Sequence, residues 1–128
     1  MSAFTALELE YLASQRLGRL ATVNPDNHPQ NSPVTFQYNP VTDSLDIHGR
    51  NLPESKKFRN LKTNAHVAFV VDDVLPPWKP RCVEVRGVAE AIEGDEPLIR
   101  IHPTQIISFG LEGDAYNPSN RKIERPAP

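Results

Sequence analysis

Short stretches in which apolar and polar residues alternate recur along this chain of 128 residues. The clearest is 81–92, where Val83 and Val85 alternate with Glu84 and Arg86. A period of two is typical of half-buried strands. Strands are also predicted at 17–23, 31–38, 44–48, 65–71 and 98–111, the last a strand or pair interrupted at Pro103.

Apolar residues recur at the spacing of a helix in only two segments. Residues 6–15 place apolar side chains near helical spacing, and Thr5 with Glu8 forms a capping box at the start. A second helix is predicted from Pro53, with Phe58 and Leu61 facing inward. One helix before the sheet, one after the third strand and about six short strands indicate a small closed or split β-barrel.

A single domain is predicted over residues 1–111, followed by a polar tail over 112–128. The tail contains Pro118, Pro126 and Pro128 and is expected to be disordered or to lie on a partner. The strand at 65–71 is expected to end at Asp72 and Asp73, before a stiff loop with three prolines between positions 75 and 80.

Charge and composition narrow the functional classes. With 14 basic and 16 acidic residues, the formal net charge of −2 argues against general nucleic-acid binding. No stretch approaches the ~18 uncharged apolar residues of a membrane span. The single cysteine, Cys82, forbids an intramolecular disulfide and fits a reducing compartment. We expect a cytoplasmic protein without nucleic-acid or membrane partners, whose apolar fraction of 38% favours a partner subunit.

Positive charge is concentrated around the second helix. Between Arg50 and Lys62 there are five basic residues against one acid, Glu54. A helix start offers unpaired backbone N–H groups, Ser55 adds a hydroxyl, and the lysines add charged donors, so this segment is a candidate phosphate site. The alternative is a solvated basic helix face.

Other candidate chemistry is sparse. The four histidines lie far apart in sequence, so no metal site is predicted, although His48 ends the third strand beside the basic run and could contact a ligand. No nucleophile elbow, P-loop or dinucleotide fingerprint is present, and no catalytic side chain is assigned. Trp78 could cover a ring system or plug the end of the barrel. A phosphate site with few reactive side chains suits a cofactor that performs the chemistry itself.

Several segments carry a family resemblance. Residues 20–29 (LATVNPDNHP), 32–36 (SPVTF), 51–52 (NL) and 55–61 (SKKFRNL) resemble, in this order and spacing, the pyridoxamine 5'-phosphate oxidase-like split barrels. Together with 76–81 and 99–111, they resemble most closely the coenzyme F420-dependent branch, the flavin/deazaflavin oxidoreductases.

The resemblance implies a six-stranded antiparallel split β-barrel of the FMN-binding type that forms a homodimer, with two cofactor sites at the subunit interface. It places Ser55, Lys56 and Lys57 at the cofactor phosphate, whose charge the lysines neutralise. It assigns Asn60, the family's recurrent helix asparagine, to orient the phosphate together with Ser55. Trp78 would come from the partner's loop, and Phe109 stands where relatives commonly have tryptophan. The strand beside the flavin or deazaflavin ring comprises Ser32, Pro33, Val34 and Thr35.

The expected function is therefore an oxidoreductase that binds a phosphorylated flavin-type cofactor and transfers a hydride to or from a small organic substrate. The resemblance favours coenzyme F420 over FMN. Vitamin B6 oxidation is not expected, because residues 111–128 lack the arginine and histidine pattern that holds its substrate. The alternative is a non-catalytic protein that stores or sequesters the cofactor.

Overall fold

A computed structural model describes residues 2–113 and 115–124 of the chain. In that part, eight strands and two α-helices are connected by short turns, and a 3-10 turn at Leu52–Glu54 precedes the second helix. The helices are α1 (Ala6–Ala13) and α2 (Lys56–Asn60). The strands are β1 (Leu17–Val23), β2 (Pro29–Thr35), β3 (Gln37–Asn39), β4 (Ser44–Ile47), β5 (His66–Leu75), β6 (Lys79–Ile92), β7 (Leu98–Phe109) and β8 (Ser119–Lys122).

The strands form one antiparallel sheet in the order β2-β1-β5-β6-β7-β4-β3, with β8 also paired to β7. The sheet curls around an apolar core, to which α1 and α2 contribute Leu12 and Phe58. At Gly18 an added Cβ would lie 2.2 Å from the ring of Phe69, so the absence of a side chain leaves room for this core ring. The mainly β split-barrel architecture predicted from the sequence is confirmed.

Both predicted helix starts are close to the observed ones. Thr5 caps α1 by accepting the Glu8 N–H, and the Glu8 carboxylate accepts the Thr5 N–H, so the capping box is confirmed. The second helix begins after Ser55 rather than at Pro53, because Pro53 lies in the 3-10 turn and Ser55 is the N-cap.

The predicted strand count of six is too low. The predicted strand 31–38 is divided at Phe36 into β2 and β3. The end predicted at Asp72 and Asp73 is also wrong, since β5 continues to Leu75. Asp73 is tolerated inside the strand because Arg81, directly opposite on β6, binds its carboxylate through two hydrogen bonds of 2.9 and 2.6 Å.

The C-terminal part differs most from expectation. β7 runs without a break through Pro103, and a register shift between Arg86 and Gly87 of β6 accommodates it. Residues 119–122 form β8 on the chain's own β7, so a disordered or partner-bound tail is wrong for this segment. Arg121 secures β8 by binding the buried carboxylate of Glu8 at 2.8 and 2.9 Å. The expectation for 125–128 falls outside the described residues.

Candidate cofactor site

The basic run lies on a short, well-capped helix. The Ser55 hydroxyl accepts the Phe58 N–H at 3.3 Å and donates to the Leu52 carbonyl at 2.6 Å. Its single donor hydrogen is therefore engaged by the backbone. Ser55 sets the direction of the helix that carries Lys56 and Lys57, and direct contact between its hydroxyl and a phosphate stays a prediction.

The two lysines face a polar groove between α2, the end of β1 and the beginning of β2. The groove has a volume of about 430 Å³. Its lining residues are Thr22, Gln30, Asn31, Ser32, Lys56 and Lys57. Of the predicted site residues, the fold thus brings Ser32 of β2 together with both lysines of α2.

Positive charge in this groove is not neutralised by any residue that the structure describes. Lys56 is exposed and Lys57 half-buried, and neither ammonium group has an ion-pair or hydrogen-bond partner in residues 2–113 and 115–124. By contrast, Arg81, Arg100 and Arg121 each bind a carboxylate. Two uncompensated ammonium groups beside hydroxyl and amide groups form a suitable site for a phosphate.

Asn60 acts beneath the groove rather than in it. The side chain is 5% exposed, and its Nδ2 donates to Thr22 Oγ1 at 3.0 Å and to Gln30 Oε1 at 2.7 Å. These bonds fix two lining residues that sequence reasoning missed. The signal was weak, because Thr22 and Gln30 become neighbours only through the β1–β2 register.

The four predicted residues of β2 have different environments. Ser32 lines the groove, Val34 lies in the core, and Pro33 and Thr35 are exposed. β2 is an edge strand whose inner side pairs with β1. A role beside a cofactor ring stays a prediction for this strand.

His48 and Trp78 are not part of the groove within one chain. His48 is exposed after β4 and is not among the lining residues. Trp78 occupies the turn between β5 and β6 and is 75% exposed, which is inconsistent with a plug in the barrel end. Ala68 of β5 pairs with Ala21 near the groove end of β1, and Leu75 lies seven positions further along β5. The turn that carries Trp78 therefore begins roughly 23 Å further along the hairpin.

The described residues offer little chemistry of their own. Within 2–113 and 115–124, no group of three or more His, Cys, Asp or Glu side chains could hold a metal ion. Burial raises the pKa of the Cys82 thiol to about 11, so this cysteine is a buried apolar residue rather than a nucleophile. In the same part of the chain, no helix is long and apolar enough to cross a membrane.

Fold and site together define a split-barrel protein with a lysine-lined groove. The family model described as "Pyridoxamine 5'-phosphate oxidase" matches residues 5–107. A 5a,11a-dehydrotetracycline/5a,11a-dehydrooxytetracycline reductase from Streptomyces rimosus is 42% identical over 123 residues, which cover 87% of this chain and 86% of the relative. The chain belongs to the pyridoxamine 5'-phosphate oxidase family, and its similarity to the reductase supports its classification as an oxidoreductase.

Solved structures share the fold at low sequence identity. A heme binding protein from Mycobacterium smegmatis superposes with a TM-score of 0.70 at 17% identity, covering 94% of this chain and 59% of that one. A FAD-binding protein from Mesorhizobium loti has a TM-score of 0.64 at 20% identity, covering 82% of this chain and 91% of that one. Proteins described as binding different cofactors therefore share this architecture. The ligand of this chain has to be inferred from the residues of its groove rather than from its fold.

Proposed function

We propose that this protein is a reductase that binds a phosphorylated flavin-type cofactor, coenzyme F420 in preference to FMN, and passes a hydride from it to a small organic substrate. The observation that carries the proposal is the groove with two lysine ammonium groups that have no partner among the described residues. When bound, the cofactor supplies the hydride chemistry, which the side chains of the chain lack.

The groove residues fit a phosphate group. Lys56 and Lys57 neutralise its charge, while Ser32 and Asn31 offer hydrogen-bonding groups beside it. Asn60 keeps Thr22 and Gln30 in place, and the cap formed by Ser55 holds the lysines toward the groove. Preference for F420 rests on the likeness of the SKKFRNL segment to the F420-dependent branch.

A homodimer completes this site. Trp78 lies about 23 Å along the hairpin from the groove of its own chain, so it reaches a cofactor ring only in the groove of a second copy. The exposure of Trp78 and the apolar fraction of 38% support a shared interface. We place this dimer in the cytoplasm, which the single free cysteine supports.

The relative from Streptomyces rimosus supports reduction as the direction of hydride transfer, because its name describes the reduction of dehydro compounds. The competing function is a protein that only stores or sequesters the cofactor. It is favoured by the lack of an assigned substrate-holding or catalytic side chain.

A reductase turns over an acceptor with the reduced cofactor, whereas a storage protein does not. The test is anaerobic oxidation of reduced F420 by a polycyclic dehydro acceptor, such as 5a,11a-dehydrooxytetracycline, with and without the protein. A reductase accelerates oxidation in proportion to protein concentration, and Lys57→Ala reduces the rate at limiting cofactor. Binding of F420 without any acceleration across a panel of acceptors supports storage instead.

A further inference from the structure

The hairpin formed by β5 and β6 extends beyond the strands on either side of it. In the described part of the sheet, β5 pairs with β1 no further than Val70, and β6 pairs with β7 no further than Cys82. Residues 72–81 therefore form an arm whose two strands pair with each other up to the turn that carries Trp78. The direction of this arm has to be set by contacts at its base.

The apolar side chains near the end of the arm do not pack against the barrel. Val74, Leu75 and Trp78 are 48%, 39% and 75% exposed. On the β6 side, the backbone of Gly110 approaches the arm so closely that a Cβ there would lie 2.1 Å from the Pro80 carbonyl oxygen. On the β5 side, the contact with the rest of the barrel is polar.

Asp73 connects the β5 side of the arm to α1. Its carboxylate accepts the Tyr11 hydroxyl at 2.8 Å and two Arg81 hydrogen bonds of 2.9 and 2.6 Å. The Arg81 guanidinium lies 4.9 Å from the centre of the Tyr11 ring, so each of the three side chains contacts the other two. Hydrogen bonds from Arg81 and from Tyr11 hold the pKa of Asp73 below its usual value, which keeps the carboxylate charged at neutral pH.

The helix that supplies Tyr11 is itself fixed to the barrel. Tyr11 is 5% exposed, and the neighbouring Leu12 is buried in the core. One turn earlier, the Glu8 carboxylate accepts the hydroxyl of Ser108 on β7 at 2.7 Å. A hydroxyl on a buried and anchored helix is a well-defined reference point for the arm, because little freedom remains in its own position.

We propose that Tyr11, Asp73 and Arg81 form a brace, three positioning residues that fix the direction of the arm so that Trp78 reaches the cofactor ring in the groove of a second copy. The bonds between Asp73 and Arg81 lie within the hairpin, whereas the bond from Tyr11 ties this pair to the body of the barrel. Direction matters because a contact between aromatic rings depends on their separation and tilt. The inference rests on the proposed homodimer and adds the residues that align Trp78.

The hydroxyl of Tyr11 can be removed without removing its ring. Tyr11→Phe keeps the buried ring beside Arg81 and deletes the bond to Asp73. Tyr38→Phe is the matched control, because the Tyr38 hydroxyl donates to the Asp43 carboxylate at 2.7 Å in the β3–β4 hairpin. In cofactor-free protein, amide hydrogen exchange across the arm should be about 2- to 12-fold faster in Tyr11→Phe, the effect of one lost hydrogen bond, and unchanged in Tyr38→Phe.

Titration with F420 tests whether the brace acts through Trp78. Tyr11→Phe should weaken binding by at least about 2-fold, but by no more than Trp78→Ala, for which one lost aromatic contact predicts a loss of about 2- to 12-fold. In the double variant Tyr11→Phe/Trp78→Ala, the affinity should equal that of Trp78→Ala alone, because the ring to be positioned is already absent. Arg81→Lys keeps the charge but not the two-bond geometry and should behave as Tyr11→Phe does.

Unchanged exchange in Tyr11→Phe, an equal effect of Tyr38→Phe, or a further loss of affinity in the double variant relative to Trp78→Ala would each overturn the proposal. A Trp78→Ala variant that binds F420 as tightly as the wild type would also overturn it, while the lysine groove would keep its cofactor. A wild-type protein that binds neither F420 nor FMN is a different result, which would refute the proposed cofactor function together with this role of Trp78.

Discussion

Replacing Lys57 by alanine tests the groove most sharply. Lys57 is the half-buried member of the lysine pair, so its contact with an anion is screened less by solvent than that of Lys56. A charge-assisted hydrogen bond contributes about 1.5–3 kcal/mol, which corresponds to a 10- to 150-fold loss of cofactor affinity. We expect the loss of affinity to lie in the upper half of this range for Lys57→Ala and in the lower half for Lys56→Ala.

The assay is an equilibrium titration of each variant with F420 and with FMN at several salt concentrations. Wild-type affinity should fall as salt rises, and the double variant Lys56→Ala/Lys57→Ala should lose most of that dependence. Arg59→Ala is the matched control, because it removes one positive charge from the same helix at a residue outside the groove lining. Its effect on affinity should stay below about 3-fold, as expected for a screened charge.

Folding provides the second control. Neither lysine has a partner in the described part of the chain, so alanine should change the free energy of unfolding by less than about 0.5 kcal/mol. A double variant that binds both cofactors as tightly as wild type, with the same salt response, would mean that the basic run is only a solvated helix face.

Three further substitutions test residues outside the lysine pair. Trp78→Ala should weaken cofactor binding by about 0.5–1.5 kcal/mol without changing stability, and an unchanged Kd would remove Trp78 from the cofactor site. Asn60→Ala leaves the buried Thr22 hydroxyl and the half-buried Gln30 side-chain carbonyl without their donor and should cost about 1–3 kcal/mol of stability as well as cofactor affinity, measured by urea unfolding and titration. Arg121→Met should destabilise the fold by about 2–4 kcal/mol at pH 7, because it leaves Glu8 buried and unpaired. Burial by itself raises the pKa of Glu8, but hydrogen bonds from Arg121, the Thr5 N–H and Ser108 together lower it below its usual value. The stabilisation is therefore present above about pH 4.5 and is lost as the pH falls through the folded-state pKa, so the two unfolding curves should converge in acid.

Local patterns explain why the helices and most strands could be predicted. The capping box of Thr5 and Glu8 depends on residues three apart, and the alternation over 81–92 depends on a period of two. β8 could not be predicted in this way, because it is stabilised by pairing with β7 and by the bond between Arg121 and Glu8, which are 113 positions apart. The polar composition of this segment predicted a tail that is disordered or lies on a partner, whereas long-range pairing makes it a strand.

The candidate site also combines features that local sequence predicts with features that depend on the fold. Lys56 and Lys57 were predicted from local charge density, and the groove places both beside Ser32. The connection from Asn60 to Thr22 and Gln30 required the fold, since these residues are 38 and 30 positions away from it. The backbone contacts of Ser55 also required the fold, because its hydroxyl caps α2, and its contact with a phosphate stays a prediction.

The central claim is that the lysine groove holds the phosphate of a flavin-type cofactor, and the absorption spectrum of purified protein during titration with F420 and with FMN tests it most directly. FMN has two bands in the visible range and the deazaflavin one, so the two complexes are distinguished in a single experiment. The account predicts saturable spectral changes with F420 and weaker binding of FMN. In the Lys56→Ala/Lys57→Ala variant, the affinity for both cofactors should be clearly lower. A folded wild-type protein whose addition alters neither spectrum would contradict it.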